Sequence, residues 1–423
     1  MADVEKFDVI VVGGGPAGLS AAYHLAKKGF NVLVLERGNE IGCKNVFGGR
    51  IYAKPFDKYF EGFRTEAPIE RWVYEERLSF TWKDLSADLS FFHDKERRKE
   101  SFTTFLSKFM KWMAGLVESN GGIVAPGMLV ESLVVNDNCV SGVFVDNEKI
   151  EADYVIIAEG SNGNLLEKHG LWSRPKPKHM AVGAKEVIKL NEKVISERLG
   201  GDWGLAWLFV GEVTQGVPGG AFLYTMKDYV TIGVVVRLSN VLNLSIDVKD
   251  IVEYFRLRER VKSFLEGGTL IEYQAKTVRE TGYYDYLEKP YGNGYLVIGE
   301  AAGLILNTGF TIHGVDFAVE SGRLAAETIE EAHKIGKNDE STLSLYKKKL
   351  FESEIFDAMK KYRKVERLLG NEDVYSIYPM LVCKFMRGLF DTKEIKNPKA
   401  VFRESLKGYS LIKLIMTMMK VML

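Results

Sequence analysis

The stretch Asp8-Val9-Ile10-Val11-Val12-Gly13-Gly14-Gly15-Pro16-Ala17-Gly18 decides the architecture. Its first half is a β-branched run bounded by glycine, which reads as a buried strand. Its second half opens a helix over Ala17 to Lys28, and Asn31 to Leu35 reads as a second strand ending at Glu36. Gly13, Gly15 and Gly18 keep G-x-G-x-x-G spacing inside this βαβ unit. The first glycine permits the tight turn, the second lets backbone approach a pyrophosphate, and the third lets helix and strand pack closely. The helix start, with Pro16 and Ala17, offers free N–H groups and a positive dipole end to phosphates. Glu36, with Arg37 beside it, stands where a ribose diol would be held.

Working outward, Ser101 to Ser119 reads as one amphipathic helix, with Phe102, Phe105, Phe109, Trp112, Met113 and Leu116 near helical spacing. Short strands are expected at Leu129–Val135 and Val140–Val145, and a core strand at Asp153–Ala158. Strand-like runs dominate from about Pro175 to Tyr286, interrupted by helix near Ile251–Phe264. The core pattern resumes at Tyr295–Ile298, followed by a long helix from Phe310 to about Lys334 and a lysine-rich helical remainder. The expected class is α/β with an α+β insert. A Rossmann-like dinucleotide domain is assembled from residues 1–75, 101–174 and 287–340, with a loop and strand excursion at 76–100. An antiparallel-sheet domain is inserted at 175–286, and the C-terminal region at 341–423 is basic and helical.

Bulk features narrow the function. With 57 basic and 57 acidic residues among 423, the net charge is zero, which argues against nucleic acid as the main partner. Three scattered cysteines, Cys43, Cys139 and Cys383, make neither a disulfide framework nor an iron–sulfur cluster, and no metal site is expected. No run reaches the ~20 apolar residues of a spanning helix, and no leader peptide is apparent, so a cytoplasmic start is expected.

Two segments settle which dinucleotide is expected. Gly299-Glu300-Ala301-Ala302-Gly303 resembles the late Gly-Asp-Ala-Ala motif of the glutathione-reductase-type flavoproteins, and Ala158-Glu159-Gly160 resembles their Ala-Asp-Gly turn. Both carry Glu at the acidic place. The resemblance implies FAD, with Glu300 near its ribityl–phosphate part. Lys44 and Val130 complete the expected set. The loop Asn307-Thr308-Gly309 reads as the cap of a helix starting near Phe310, whose positive end, with Thr311, would face the pyrimidine edge of a flavin.

The segment Lys44-Asn45-Val46-Phe47-Gly48-Gly49-Arg50-Ile51-Tyr52 resembles the matching stretch of FixC proteins, of the electron-transfer-flavoprotein:quinone oxidoreductase family. The likeness continues through Val182-Gly183-Ala184-Lys185-Glu186, Gly219-Gly220-Ala221-Phe222-Leu223-Tyr224-Thr225 and Gly309-Phe310-Thr311-Ile312-His313-Gly314-Val315-Asp316. It implies an oxidoreductase that takes electrons from an electron-transfer flavoprotein and passes them to a membrane quinone. It further implies a separate ferredoxin-like iron–sulfur subunit, in systems associated with electron bifurcation. Gly48, Gly49, Arg50, Gly309, Phe310 and Thr311 are then expected around the flavin ring, and Phe222, Tyr224 and His313 in a quinone pocket. No catalytic side chain is expected, since the flavin carries the chemistry. The alternative is a geranylgeranyl or other prenyl-lipid reductase of the same superfamily, disfavoured because the aromatic motif of those enzymes is absent at Gly219–Thr225.

Residues 341–423 hold 17 basic and 9 acidic side chains, a net of +8, so residues 1–340 carry −8. Within 409–423, Lys413, Thr417 and Lys420 share one face of an otherwise apolar helix. The segment either lies in a membrane interface or packs on the protein or a partner subunit. A peripheral position on the cytoplasmic side of the membrane is the expectation.

Overall fold

A computed structural model describes residues 6–44, 48–93, 99–172, 174–242, 246–280, 282–410 and 416. Asn45, Val46 and Phe47 lie outside the described residues, as does the expected terminal helix save for Tyr409, Ser410 and Met416.

The β-branched runs form the centre of the first sheet. Phe7–Val12 lies between Val32–Glu36 and Glu148–Ile157, with Ile123–Pro126 and Tyr295–Val297 outside them, all parallel. Strands covered on both faces need no polar alternation, which is why these runs read as continuous apolar sequence. Helix Pro16–Ala26 packs against helices Leu106–Ser119 and Val315–Lys334. A Cβ on Gly322 of the last helix would overlap the carbonyl oxygen of Ala17, so glycine sets that approach. Ser20 donates to the Val319 carbonyl across the same contact at 2.7 Å. Beside the sheet, strand Cys139–Val145 pairs with the start of Glu148–Ile157 on one side and with Val130–Asn136 on the other. They are joined by Asp137-Asn138 and Asp146-Asn147, all four at positive φ, as two-residue hairpin turns require.

The second sheet runs Thr269–Arg279, Met180–Lys189, Tyr229–Arg237, Gly219–Thr225, Gly204–Gly211, Arg71–Trp82, Ser101–Phe105, Gly48–Tyr52, with Leu85–Phe92 on the side of Arg71–Trp82. Every pairing is antiparallel except Gly204–Gly211 with Arg71–Trp82. One face buries Leu205, Trp207, Phe209, Leu223, Ile232 and Val234 with Phe255, from helix Val248–Leu257. The alternate residues, among them Glu76, Leu208, Phe222 and Tyr224, are half-buried and form the opposite face.

Two expected helices differ from what forms. Ser101–Phe105 is a strand, and the helix starts at Leu106. Phe102 and Phe105 match the helical spacing of Phe109 by coincidence. Pairing with Gly48–Tyr52, and the Thr103 hydroxyl bonded to the Thr225 carbonyl at 2.8 Å, decide the strand. The late helix begins at Val315, five residues beyond Phe310. Gly309 sits at φ +88°, and the Thr308 hydroxyl accepts the Thr311 N–H at 2.9 Å, closing a turn. Ile312–His313 then pairs back on Leu306–Asn307. The sheet also reaches beyond 175–286, taking in strands from 48–52, 71–92 and 101–105.

His24, on the first helix, packs among Tyr23, Tyr59 and Phe60, and its Nε2 has no partner. Burial, reinforced by Arg323, pushes its pKa down to about 4. An unfolded histidine protonates near 6.5, so the unfolded chain binds the proton first as pH falls. The stability this group contributes is complete above pH ~6.5 and declines to about pH 4, by roughly 3 kcal/mol. In urea melts at pH 7 and pH 4.5, His24→Leu should show a smaller loss than the parent. An equal loss in both proteins would refute this.

Candidate functional site

The glycine turn is built to receive a phosphate. Gly13 has φ +111°, and a Cβ there would stand 2.5 Å from the Ala158 carbonyl oxygen. A Cβ on Gly18 would overlap the Gly13 carbonyl oxygen, so the helix starts hard against the strand end. Gly15 differs, because nothing lies within 4 Å of the position its Cβ would take. It is the N-cap of helix Pro16–Ala26, and no side chain caps that end. Free N–H groups, a dipole end and open space coincide there, which fits the pyrophosphate of FAD.

Glu36 is held by its neighbours. Its two carboxylate oxygens accept the N–H of Gly14 at 2.9 Å and of Gly38 at 2.7 Å, keeping lone pairs for a diol. Arg37, Cys43 and Lys44 line a cleft of about 340 Å³ with Asn162, Gln274 and Lys276 from the far wall. Val130 is half-buried at the start of strand Val130–Asn136, opposite Val145. Gly160, at φ +71°, also faces open space.

The two glutamates that replace aspartate in the flavoprotein motifs are spoken for. Glu159 accepts the N–H groups of Leu165 and Leu166, both at 2.9 Å, and so holds the short helix Asn164–Lys168. Glu300 accepts the Arg279 N–H at 3.2 Å. Gly299 packs on Ala17, at the base of the glycine turn, and donates its N–H to the Ser321 hydroxyl. The longer side chain thus reaches protein donors.

At the other end, Arg50 is committed to protein partners. Glu76 accepts its two terminal nitrogens at 3.0 and 2.6 Å, and Ser101 accepts its Nε at 3.0 Å. The guanidinium also lies 4.8 Å from the centre of the Tyr52 ring. Burial opposes its charge, but Tyr52 and Glu76 more than compensate and its pKa is raised. Tyr52 stacks on His313 at 4.3 Å between ring centres. His313 is bonded through Nδ1 to Asp316 at 2.6 Å and through Nε2 to the Thr311 hydroxyl at 3.2 Å. Phe310 points outward, 66% exposed.

Phe222 and Tyr224 stack on one another, 5.1 Å apart, on the half-buried face of the second sheet. Gly233, on the neighbouring strand, leaves the space that the Phe222 ring fills. Burial pushes the Tyr224 phenol up to about 12, against the pull of Arg50, so it stays a neutral donor. In the Lys185-Glu186 pair, the lysine lies near the Phe105 ring and Glu272, and the glutamate meets Arg256 from the covering helix. The structure brings Arg50, Tyr224 and His313 together around Tyr52. Sequence reasoning missed Tyr52, Glu76 and Asp316 as members of this group. The i, i+3 spacing of His313 and Asp316 was a legible signal, whereas nothing local marks Glu76.

Comparison with known proteins agrees with this geometry. The FAD dependent oxidoreductase family matches residues 8–88 and 102–328. The probable electron transfer flavoprotein-quinone oxidoreductase YdiS of Escherichia coli K12 is 35% identical over 410 residues, 96% of this chain and 95% of that protein. Protein FixC of the same strain is 38% identical over 388 residues, 91% of this chain and 90% of that one. Among solved structures, a geranylgeranyl bacteriochlorophyll reductase-like protein of Thermoplasma acidophilum has TM-score 0.73 at 19% identity, covering 98% and 99% of the two chains. That likeness speaks for the fold.

The glycine geometry yields a paired expectation. Gly15→Val should leave the fold intact but abolish FAD retention, because its side chain enters open space meant for the ligand. Gly18→Val should destabilise the FAD-free protein as well. Thermal melts of both apo-proteins with FAD titrations check this, and a Gly15→Val protein that bound FAD normally would overturn the assignment.

Proposed function

The chain belongs to the FAD-dependent oxidoreductase family, with the FixC and electron-transfer-flavoprotein–quinone oxidoreductase proteins, and on that footing we propose that it passes electrons from an electron-transfer flavoprotein to a membrane quinone. Bound FAD supplies the electron-carrying chemistry. The observation that carries the reading is the aromatic, positively charged group around Arg50, Tyr52 and Tyr224, on the sheet face beyond the glycine turn. A flat, apolar quinone is suited by stacked rings, and an oxygen of it by a neutral phenol.

In this reading the N–H groups at the head of helix Pro16–Ala26 hold the pyrophosphate and Glu36 holds the ribose. The start of helix Val315–Lys334, where Gly314 has no side-chain cap, provides positive potential toward the ring. Phe222 and Tyr224 contact the quinone. The partners are electron-transfer flavoprotein subunits and a small ferredoxin-like iron–sulfur subunit, as in a FixABCX-type bifurcating complex.

Among the described residues no helix is long and apolar enough to cross a membrane. Contact with the bilayer is supported instead by exposed apolar side chains within the basic C-terminal region. Phe390 is 75% exposed and Ile395 97%, with Lys384, Arg387, Lys393 and Lys399 nearby in sequence. Each such charge near an anionic leaflet adds about 1 kcal/mol of attraction. Deleting residues 409–423 together with Phe390→Asp should move the protein from the floating to the soluble fraction with anionic vesicles. Unchanged flotation would remove this region from the reading.

The decisive experiment is anaerobic. FAD-loaded protein is reduced through the partner flavoprotein and mixed with a short-chain quinone or a geranylgeranyl lipid. Fast reoxidation by quinone is expected. Fast reoxidation by the lipid alone would favour a prenyl-lipid reductase, and none by either would refute the proposal.

A further inference from the structure

Arg279 ends strand Thr269–Arg279 and is only 2% exposed. Its guanidinium lies 4.6 Å from the centre of the Trp172 ring, and Nη1 donates to the Asp285 carbonyl oxygen at 3.1 Å. Nε and Nη2, the edge with which an arginine grips a carboxylate at two points, are buried and have no partner. The carboxylates near it in sequence are committed to other side chains, Glu280 to Arg237 at 3.3 Å and Asp285 to His179 at 2.5 Å. Among the described residues the guanidinium therefore has no ion-pair partner. Burying a charge without one is costly, and here the charge is not cancelled at close range.

The position of Arg279 gives that charge a use. Its backbone N–H donates to Glu300 Oε1 at 3.2 Å. Its Nη1 lies 2.9 Å from the place a Cβ would take on Gly303. Arg279 thus underlies the whole turn Gly299–Ala302, from the Glu300 carboxylate to the residue that follows the turn. The front of the same turn belongs to the cofactor site. A Cβ on Gly299 would stand 2.7 Å from that of Ala17, in the first turn of the helix whose head, at Gly15, faces open space. Glu300 therefore brings a negative charge toward the place that suits two phosphates. Like charges brought together in a partly buried site repel strongly unless a cation stands by.

We propose that Arg279 is a positioning residue for FAD, and that its charge balances Glu300 beside the two phosphates of the cofactor. It touches neither phosphate and acts through the Glu300 turn. The proposal rests on the assignment of FAD and on no choice of electron acceptor. Because the Nε–Nη2 edge grips nothing, the charge matters and the shape of the guanidinium does not, so lysine can stand in for it.

The test strips the full-length protein of FAD and titrates FAD back, with flavin fluorescence giving the dissociation constant. Arg279→Met should raise that constant about tenfold, the scale of one charge acting across a partly buried site. Arg279→Lys should keep most of the affinity. Adding Glu300→Gln to Arg279→Met should restore most of the loss, since the charge to be balanced is gone. Glu300→Gln alone keeps Arg279 in place and should bind FAD more tightly than the parent, which decides the matter even if Arg279→Met does not fold. Parent-like affinity in Arg279→Met, an equal loss in Arg279→Lys, no restoration in the double variant, or weaker binding by Glu300→Gln overturns the proposal. Parent protein that takes up no FAD overturns the cofactor assignment and the proposal with it.

Discussion

The close approach of backbone around helix Pro16–Ala26 governs much else. Its first turn meets the strand end with no room for a side chain at Gly13 or Gly18, and its flank meets helix Val315–Lys334 at Gly322, equally without room. Glycine loses conformational entropy in folding, so its use in a buried helix carries a cost that the packing must offset. In return, one uncapped helix end is aimed into open space. The parallel strands on either side are buried on both faces and leave that end nowhere to shift. Cofactor binding is thus a property of packing several residues away from any ligand contact.

A second hub sits where the two sheets meet. Arg50 extends from a strand of the second sheet, and Glu76, from another strand of that sheet, takes its charge in a two-point contact. Such a pair has little freedom to rotate, and the Tyr52 ring beneath it is fixed in turn. Rigid groups of this kind set the shape of a site before anything binds, so little ordering cost falls on the binding step. The sheet also divides labour by parity. Odd and even positions of Gly219–Thr225 face opposite sides, so Leu223 serves the covered core while Phe222 and Tyr224 lie on the half-buried face.

Legibility in the sequence followed the range of the interactions. The βαβ unit and the glutamate that ends its second strand were readable because turn, helix start and strand are local and period-bound. The strands of the second sheet were readable one at a time, but their order was not, since a parallel contact between residues 71–82 and 204–211 leaves no local mark. Ser101–Phe105 was misread because aromatic residues at helical spacing outweighed two adjacent threonines. The late helix was started at Phe310 instead of Val315 because a threonine hydroxyl closing a turn resembles a helix cap in sequence. Glu76 and Asp316, which hold Arg50 and His313, were missed. They act through other side chains and belong to no glycine-rich stretch.

The wiring of the two sheets has a consequence for how the chain is made. The glycine turn is made well before its partners: its sheet is completed only by residues 295–297, and its helix is buttressed only by residues 315–334. Strands from 48–105 likewise wait for a partner at residues 204–211. Contacts this distant in sequence form slowly, and the early segments stay exposed until the late ones arrive. Loading with FAD therefore has to wait until residues 295–334 have been made, and until then the apolar strands before them lack their cover.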